Sequence, residues 1–188
     1  MELTSQTVHQ IGGVVVILLA LVSTYRVLRH GELRLPEWLL AGLFIGYGIE
    51  SYVDPLVHGA SAPENYTAES AQHLVQGTAL IIAGVLEMFR LAGVLKGRIW
   101  IAVVPVSLFV FGGIFLFHAQ SGMDPEAMVM MTLQHRAFGL SLWVAAAARA
   151  FSDFLLPNDR AAAMGWISAL LIFGLLLLSY QEGSNPAM

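Results

Sequence analysis

Six stretches of this chain are too apolar and too long to lie on a soluble surface: Ile11–Leu28, Trp38–Val53, Ala71–Leu91, Ile99–Phe117, Ala127–Ala148 and Ala162–Tyr180. Each approaches the ~20 residues that cross the hydrocarbon core of a bilayer as a helix. Lipid offers the backbone no hydrogen-bond partner, so each stretch must pair its own N–H and C=O groups and reads as an α-helix. The fold expected is all-α: a polytopic membrane helix bundle with six transmembrane helices, forming a single transmembrane helical domain over residues 1–188. Composition agrees, since 57% of the residues are hydrophobic and 12% charged, against about a quarter charged in soluble domains. The lipid bilayer is therefore the first partner. A net charge of −4 with no basic run excludes nucleic acid. The chain has no Cys, which removes disulfides, thiolate metal sites and Cys nucleophiles together. Residues Met1 to Gln10 lack the basic segment that opens a cleaved signal peptide, so the first apolar stretch is read as retained.

The links carry turn residues and most of the charge. Arg26, Arg29 and Arg34 flank the first, Arg90, Lys96 and Arg98 the third, and Arg149 and Arg160 the fifth, with only Arg136 left over. If six helices alternate, those three links share one side. The positive-inside rule then puts both termini on the outer side, with the second and fourth links. Those outer regions hold Glu2, Asp54, Glu64, Glu69, Asp124, Glu126 and Glu182 and no Lys. The membrane expected is the plasma (cytoplasmic) membrane.

Polar residues placed by depth converge on that outer side. His9 opens the first helix, Glu50 lies about one turn short of the outer end of the second, and His73 sits in the first turn of the third. His118 closes the fourth, and His135 lies roughly 12 Å into the fifth at 1.5 Å per residue. His58 falls in an outer loop, and His30 alone is inside. An ionisable group inside a membrane is expensive and is a functional-site candidate by default. Histidines plus a carboxylate from different helices are the ligand set of zinc, copper or non-haem iron, and helix bundles build such sites from inward-facing side chains. The expected metal ligands are His9, Glu50, His73, His118 and His135, and the expected cofactor is a divalent or copper ion, with copper or zinc favoured and iron as a third choice. The plain alternative is that each His bonds a carbonyl or water and that Glu50 pairs with Arg136. No HxxxH, HExxH or ExxH motif tightens the pattern.

Helix faces refine the picture. Gly42, Gly46 and Glu50 recur every fourth residue, which puts Glu50 on a small-residue face suited to close helix contact. His73, Gly77, Leu80, Gly84 and Glu87 share a face of the third helix. Glu87 lies some ~21 Å deeper than His73, too far to share an ion, and either pairs with Arg90 at i+3 or snorkels inward. Met128, Met131 and His135 also share a face. Thioether beside imidazole suits copper, while Met also serves as ordinary apolar filler. Pro105 is expected to bend the fourth helix. Gly12-Gly13 and Gly112-Gly113 read as packing glycines.

These residues together resemble the transmembrane protein 45 family, multi-pass proteins with a domain of unknown function. The likeness runs from the first helix into the fifth. It lies in His9 ahead of Gly12 and Gly13, in Ile45-Gly46-Tyr47-Gly48-Ile49-Glu50 leading to Asp54-Pro55, in Gln72-His73 with Gly84 through Met88, and in Phe115-Leu116-Phe117-His118 followed by Asp124. The resemblance implies a set of polar positions and no settled activity. The family carries a second His two residues after the one matching His118, where this chain has Gln120, and a His pair after the Asp, where it has Glu126 and Met128. His135 is the replacement available. The family is described with seven helices, against six here.

Three functional classes follow. The first is metal handling or metal-dependent catalysis in a His/Glu pocket near the outer face, by a metal-activated water in the catalytic version. The second is a b-type haem electron-transfer protein gripping haem b between His118 and His135. The third is a non-catalytic subunit of a larger membrane complex or a homo-oligomer, with His and Glu serving as interhelical hydrogen-bonding groups.

Overall fold

The computed structural model describes residues 5–29, 34–57, 63–118, 125–157 and 159–181. His30, His58, Met123 and Asp124 lie outside the described residues. Among those described there is no strand. The chain forms α1 (Ser5–Arg29), α2 (Leu35–Val57), α3 (Pro63–Leu91), α4 (Val103–Leu116), α5 (Pro125–Ala150) and α6 (Arg160–Leu178). A 3-10 turn, Arg98–Ala102, leads into α4, and a π turn, Phe151–Leu155, closes α5. Among the described residues, five stretches are long and apolar enough to cross a membrane: Gln6–Arg29, Ala71–Leu91, Arg98–Leu116, Pro125–Leu155 and Arg160–Leu178. Helix α2, which carries Glu37 and Glu50 within its length, is not among them.

The helices assemble as three antiparallel pairs, α1 with α6, α2 with α3, and α4 with α5. Each pair closes on facing glycines. A Cβ on Gly13 would lie 2.7 Å from the Gly174 carbonyl oxygen, one on Gly48 2.8 Å from that of Gly77, and one on Gly112 2.8 Å from that of Gly139. In lipid the hydrophobic effect does not drive helix against helix, so backbone approach at small residues supplies the packing. Helix α5 also packs along α6, while the α1–α2 and α3–α4 seams are thinner. At the α4–α5 seam the Trp143 indole N–H donates to the Phe109 carbonyl at 2.9 Å. Buried hydroxyls turn back on their own helices: Ser23, Ser51 and Ser107 each donate to the carbonyl four residues earlier, which satisfies them without water. Large apolar side chains such as Leu18, Leu21, Phe109, Val144 and Leu175 remain exposed around the outside, as a lipid-facing surface requires.

Several expectations are corrected. Helix α3 begins at Pro63 rather than near Ala71, and α2 runs through Asp54-Pro55 to Val57 instead of stopping at Val53. Polar residues continue a helix beyond its apolar stretch, so hydropathy underestimates helix length. Pro105 does not lie in mid-helix. It stands in the first turn of α4, after the 3-10 turn, where a missing N–H breaks no established α-helical ladder. The Gly42/Gly46 face is not a close contact: nothing lies within 4 Å of a Cβ at either. The residues of α2 that meet α3 are Ala41, Ile45, Gly48 and Tyr52. Gly13 and Gly112 do pack as expected, whereas Gly113 is open.

Candidate functional site

The pairing fixes two chemically distinct ends. On α1, His9 and Arg26 are about 25 Å apart at 1.5 Å per residue, and on α5 His135 and Arg149 about 21 Å. His9 and His135 meet at one end of the bundle, while Arg26, Arg149 and Arg160 surround one cavity at the other.

At the histidine end, four imidazoles, three from helices and one from just beyond the end of α4, form a string. The His73 ring on α3 lies 5.6 Å from that of His118. His118 lies 5.0 Å from His135 on α5, and His135 lies 6.3 Å from His9 on α1. Local structure explains each placement. Helix α4 ends at Leu116, and Phe117 leaves helical geometry at φ −112° and ψ 15°. His118 is thereby carried off the helix axis. Gly112 and Gly139 draw α4 and α5 together, which brings His118 and His135 to the shortest spacing in the string. Phe115 and Phe138 pack against His135 at 5.7 Å each, an apolar floor beneath the imidazoles.

His135 is the innermost member, 5% exposed. Its Nδ1 lies 2.8 Å from the Met131 carbonyl oxygen. A carbonyl only accepts, so Nδ1 carries the proton and Nε2 of the neutral ring holds the lone pair. Metal-ligating histidines are set in this way, with the far ring nitrogen bonded to a carbonyl or carboxylate. Met131 therefore contributes its backbone to the site, and its side chain is buried in the core. At His118, beyond the end of its membrane-crossing stretch, the imidazolium is disfavoured. Burial first, then the neighbouring His135, His73 and His9, lower its pKa to about 3. His118 is thus the ring that feels the other three.

Two tyrosines belong to this end to which the sequence assigned no role. The Tyr180 ring, 1% exposed, stacks on His9 at 4.2 Å. The chain is held there by a reciprocal pair: Gln181 N–H donates to Gln134 Oε1 at 3.0 Å, and Gln134 Nε2 donates to the Gln181 carbonyl at 3.1 Å. Tyr47 of α2 packs over Gly12, and its buried hydroxyl has no hydrogen-bond partner among the described residues. An aromatic at the end of the last apolar stretch, and one following a glycine in α2, were the only available signals.

Glu50 is half-buried on α2. Two residues beyond Gly48, it points roughly 160° round the helix from the α3-facing side. Among the described residues, no three His, Asp or Glu side chains are grouped so that they could hold one ion. The arrangement is a string of imidazoles rather than a closed shell. Near the other end of α3, Glu87 and Arg90 do pair as expected, through Oε2–Nε at 2.7 Å and Oε1–Nη2 at 2.5 Å.

The chain matches no family model, no curated protein and no solved structure. The likeness to the transmembrane protein 45 family therefore rests on its motif residues alone.

Proposed function

We propose that this is a membrane protein that binds a transition-metal ion, copper or zinc, at its histidine end and passes it along the imidazole string. The observation that carries the reading is His135, buried, oriented by its Nδ1 contact with the Met131 carbonyl and with its ring 5.0 Å from that of His118. Two imidazoles sharing one ion at metal–nitrogen bonds of about 2.0–2.1 Å have ring centres about 5–6 Å apart, and the His73–His118 and His118–His135 spacings are 5.6 and 5.0 Å. His118 is common to both pairs. Exposure falls from the half-buried His73 and His118 to the buried His135, as stepwise inward transfer between pairs requires. A bound ion would supply Lewis acidity there, while the chain's own residues hold and orient the imidazoles.

The orientation proposed has both termini and the histidine end outside, because the arginines gather at the opposite end. A six-span topology includes α2, which lies along α3 from the Ala41–Gly84 contact to the Gly48–Gly77 contact. A b-type haem fits less well, because a macrocycle cannot lie between His118 and His135 rings 5.0 Å apart that pack on Phe115 and Phe138.

Titration of detergent-purified protein with copper(I) and with zinc(II), in competition with a chromophoric chelator, tests the reading. One equivalent is expected to bind. His118→Ala is expected to weaken binding by more than the roughly 10–100-fold typical of removing an outer-shell partner, and His9→Ala by less. No binding by the wild-type protein, or equal affinity in wild type and His118→Ala, would overturn the proposal and favour a purely structural role for the rings.

A further inference from the structure

Helix α6 ends at Leu178, and the turn that follows is tighter than the helix. The Tyr180 N–H donates to the Leu177 carbonyl at 3.2 Å, the three-residue spacing of a 3-10 turn. Tyr180 is buried at this point, one residue past the C-cap Ser179.

Tyr180 and Gln181 are each tied to the sequence neighbour of a string histidine. Gln134, next to His135, exchanges its two hydrogen bonds with the Gln181 backbone, at 3.0 and 3.1 Å. Gln10, next to His9, donates through Nε2 to the Tyr180 carbonyl at 3.4 Å. Between these ties the Tyr180 ring lies against both imidazoles. It is stacked on His9 at 4.2 Å and 21°, and edge-on to His135 at 6.1 Å and 78°. Tyr180–Gln181 is thus a strap laid from α6 across α1 and α5, and its ring covers the His9 end of the string.

The ring and its fastening differ in kind. The ring is buried, and stacking holds it there. The Gln134 bonds lie at the exposed edge, where water replaces either partner at small net cost. Exposed bonds over a buried ring give two positions: seated, and lifted with the amides hydrated.

We infer that the Tyr180–Gln181 strap is a gate on the metal site. Seated, it shuts in an ion at His135 from the His9 side; lifted, it opens a second way in and out. The inference rests on the metal-binding reading above. The strap is assigned no ligand, so lifting it has no differential interaction with the ion and leaves the equilibrium affinity unchanged. Uptake and release quicken together. Loss of a merely structural contact would instead disturb the imidazoles and weaken binding.

The test follows zinc(II) uptake and its release to excess chromophoric chelator by stopped flow, on the full chain in detergent. Gln134→Ala is expected to raise both rates about tenfold, the combined net worth of two ordinary hydrogen bonds, with the dissociation constant unchanged. Tyr180→Phe keeps the ring and the wild-type rates, while Tyr180→Ala raises both at least as far as Gln134→Ala. Thermal unfolding would show that the variants remain folded. A metal-free arm reads carbethoxylation of His9 by diethylpyrocarbonate in a mass spectrometer; Gln134→Ala should quicken it and leave that of His73 unchanged. Wild-type exchange rates and wild-type His9 labelling in Gln134→Ala would overturn the gate and leave metal binding standing. Weaker affinity without faster uptake would make the strap a structural contact and also overturn the gate. No zinc uptake by the wild-type protein would remove the metal reading and the gate with it.

Discussion

Replacing Arg90 by alanine is expected to destabilise the folded protein by about 3–5 kcal/mol, the typical cost of stripping one partner from a buried ion pair. Glu87 is 0% exposed, and both its carboxylate oxygens are engaged by the Arg90 guanidinium. In an environment with no water to replace the lost donors, the carboxylate is left uncompensated. The comparison that isolates this cause is Glu87→Leu/Arg90→Leu, which removes both charges. Replacing a buried pair with apolar residues is often neutral or stabilising, so the double variant should recover most of the loss. Equilibrium unfolding in mixed micelles measures both. A cost below about 1 kcal/mol for Arg90→Ala, the range of exposed pairs, would mean that the pair is solvated and that α3 does not bury Glu87 as described.

Gly139→Leu is the substitution expected to couple stability to the site most strongly. A Cβ there would lie 2.6 Å from the Gly112 carbonyl oxygen and 2.7 Å from Leu116 Cγ, and a backbone oxygen cannot rotate out of the way as a side chain can. Helices α4 and α5 must separate. Overpacking a tight core costs about 1–3 kcal/mol and occasionally more, and the upper end is expected because the obstacle is backbone. His118 follows α4 and His135 rides on α5, so their 5.0 Å spacing opens as well. Metal affinity should fall with stability even though no imidazole is touched. Gly113→Leu is the control, since nothing lies within 4 Å of its Cβ, and it should leave both quantities nearly unchanged. Equal effects of the two substitutions in unfolding and titration assays would show that the Gly112–Gly139 approach does not set the site.

Position along a helix was legible in the sequence, because each residue advances a fixed rise. That is why His9, His73, His118 and His135 could be assigned to one end before any packing was known. Direction around a helix was legible where several residues agreed. Gly77, Leu80, Gly84 and Glu87 share the buried side of α3, and Glu87 reaches Arg90 as their spacing allowed. The same reasoning failed on α2, where Gly42 and Gly46 are open and Gly48 makes the approach to α3. Two glycine series of different phase coexist there, and only the partner helix chooses between them. Helix α3 gains its first turns from polar residues that hydropathy assigns to a link. Tyr180 escaped notice because its role depends on the Gln134–Gln181 exchange, a pairing 47 residues apart that no local pattern encodes.

The imidazole string is tested most directly by the X-ray absorption spectrum of the zinc-loaded protein, wild type beside His118→Ala. A nitrogen-dominated first shell with outer-shell scattering from more than one imidazole is expected, with the imidazole contribution reduced in the variant. An oxygen-dominated shell without imidazole scattering, or identical spectra from the two proteins, would contradict metal binding by these histidines.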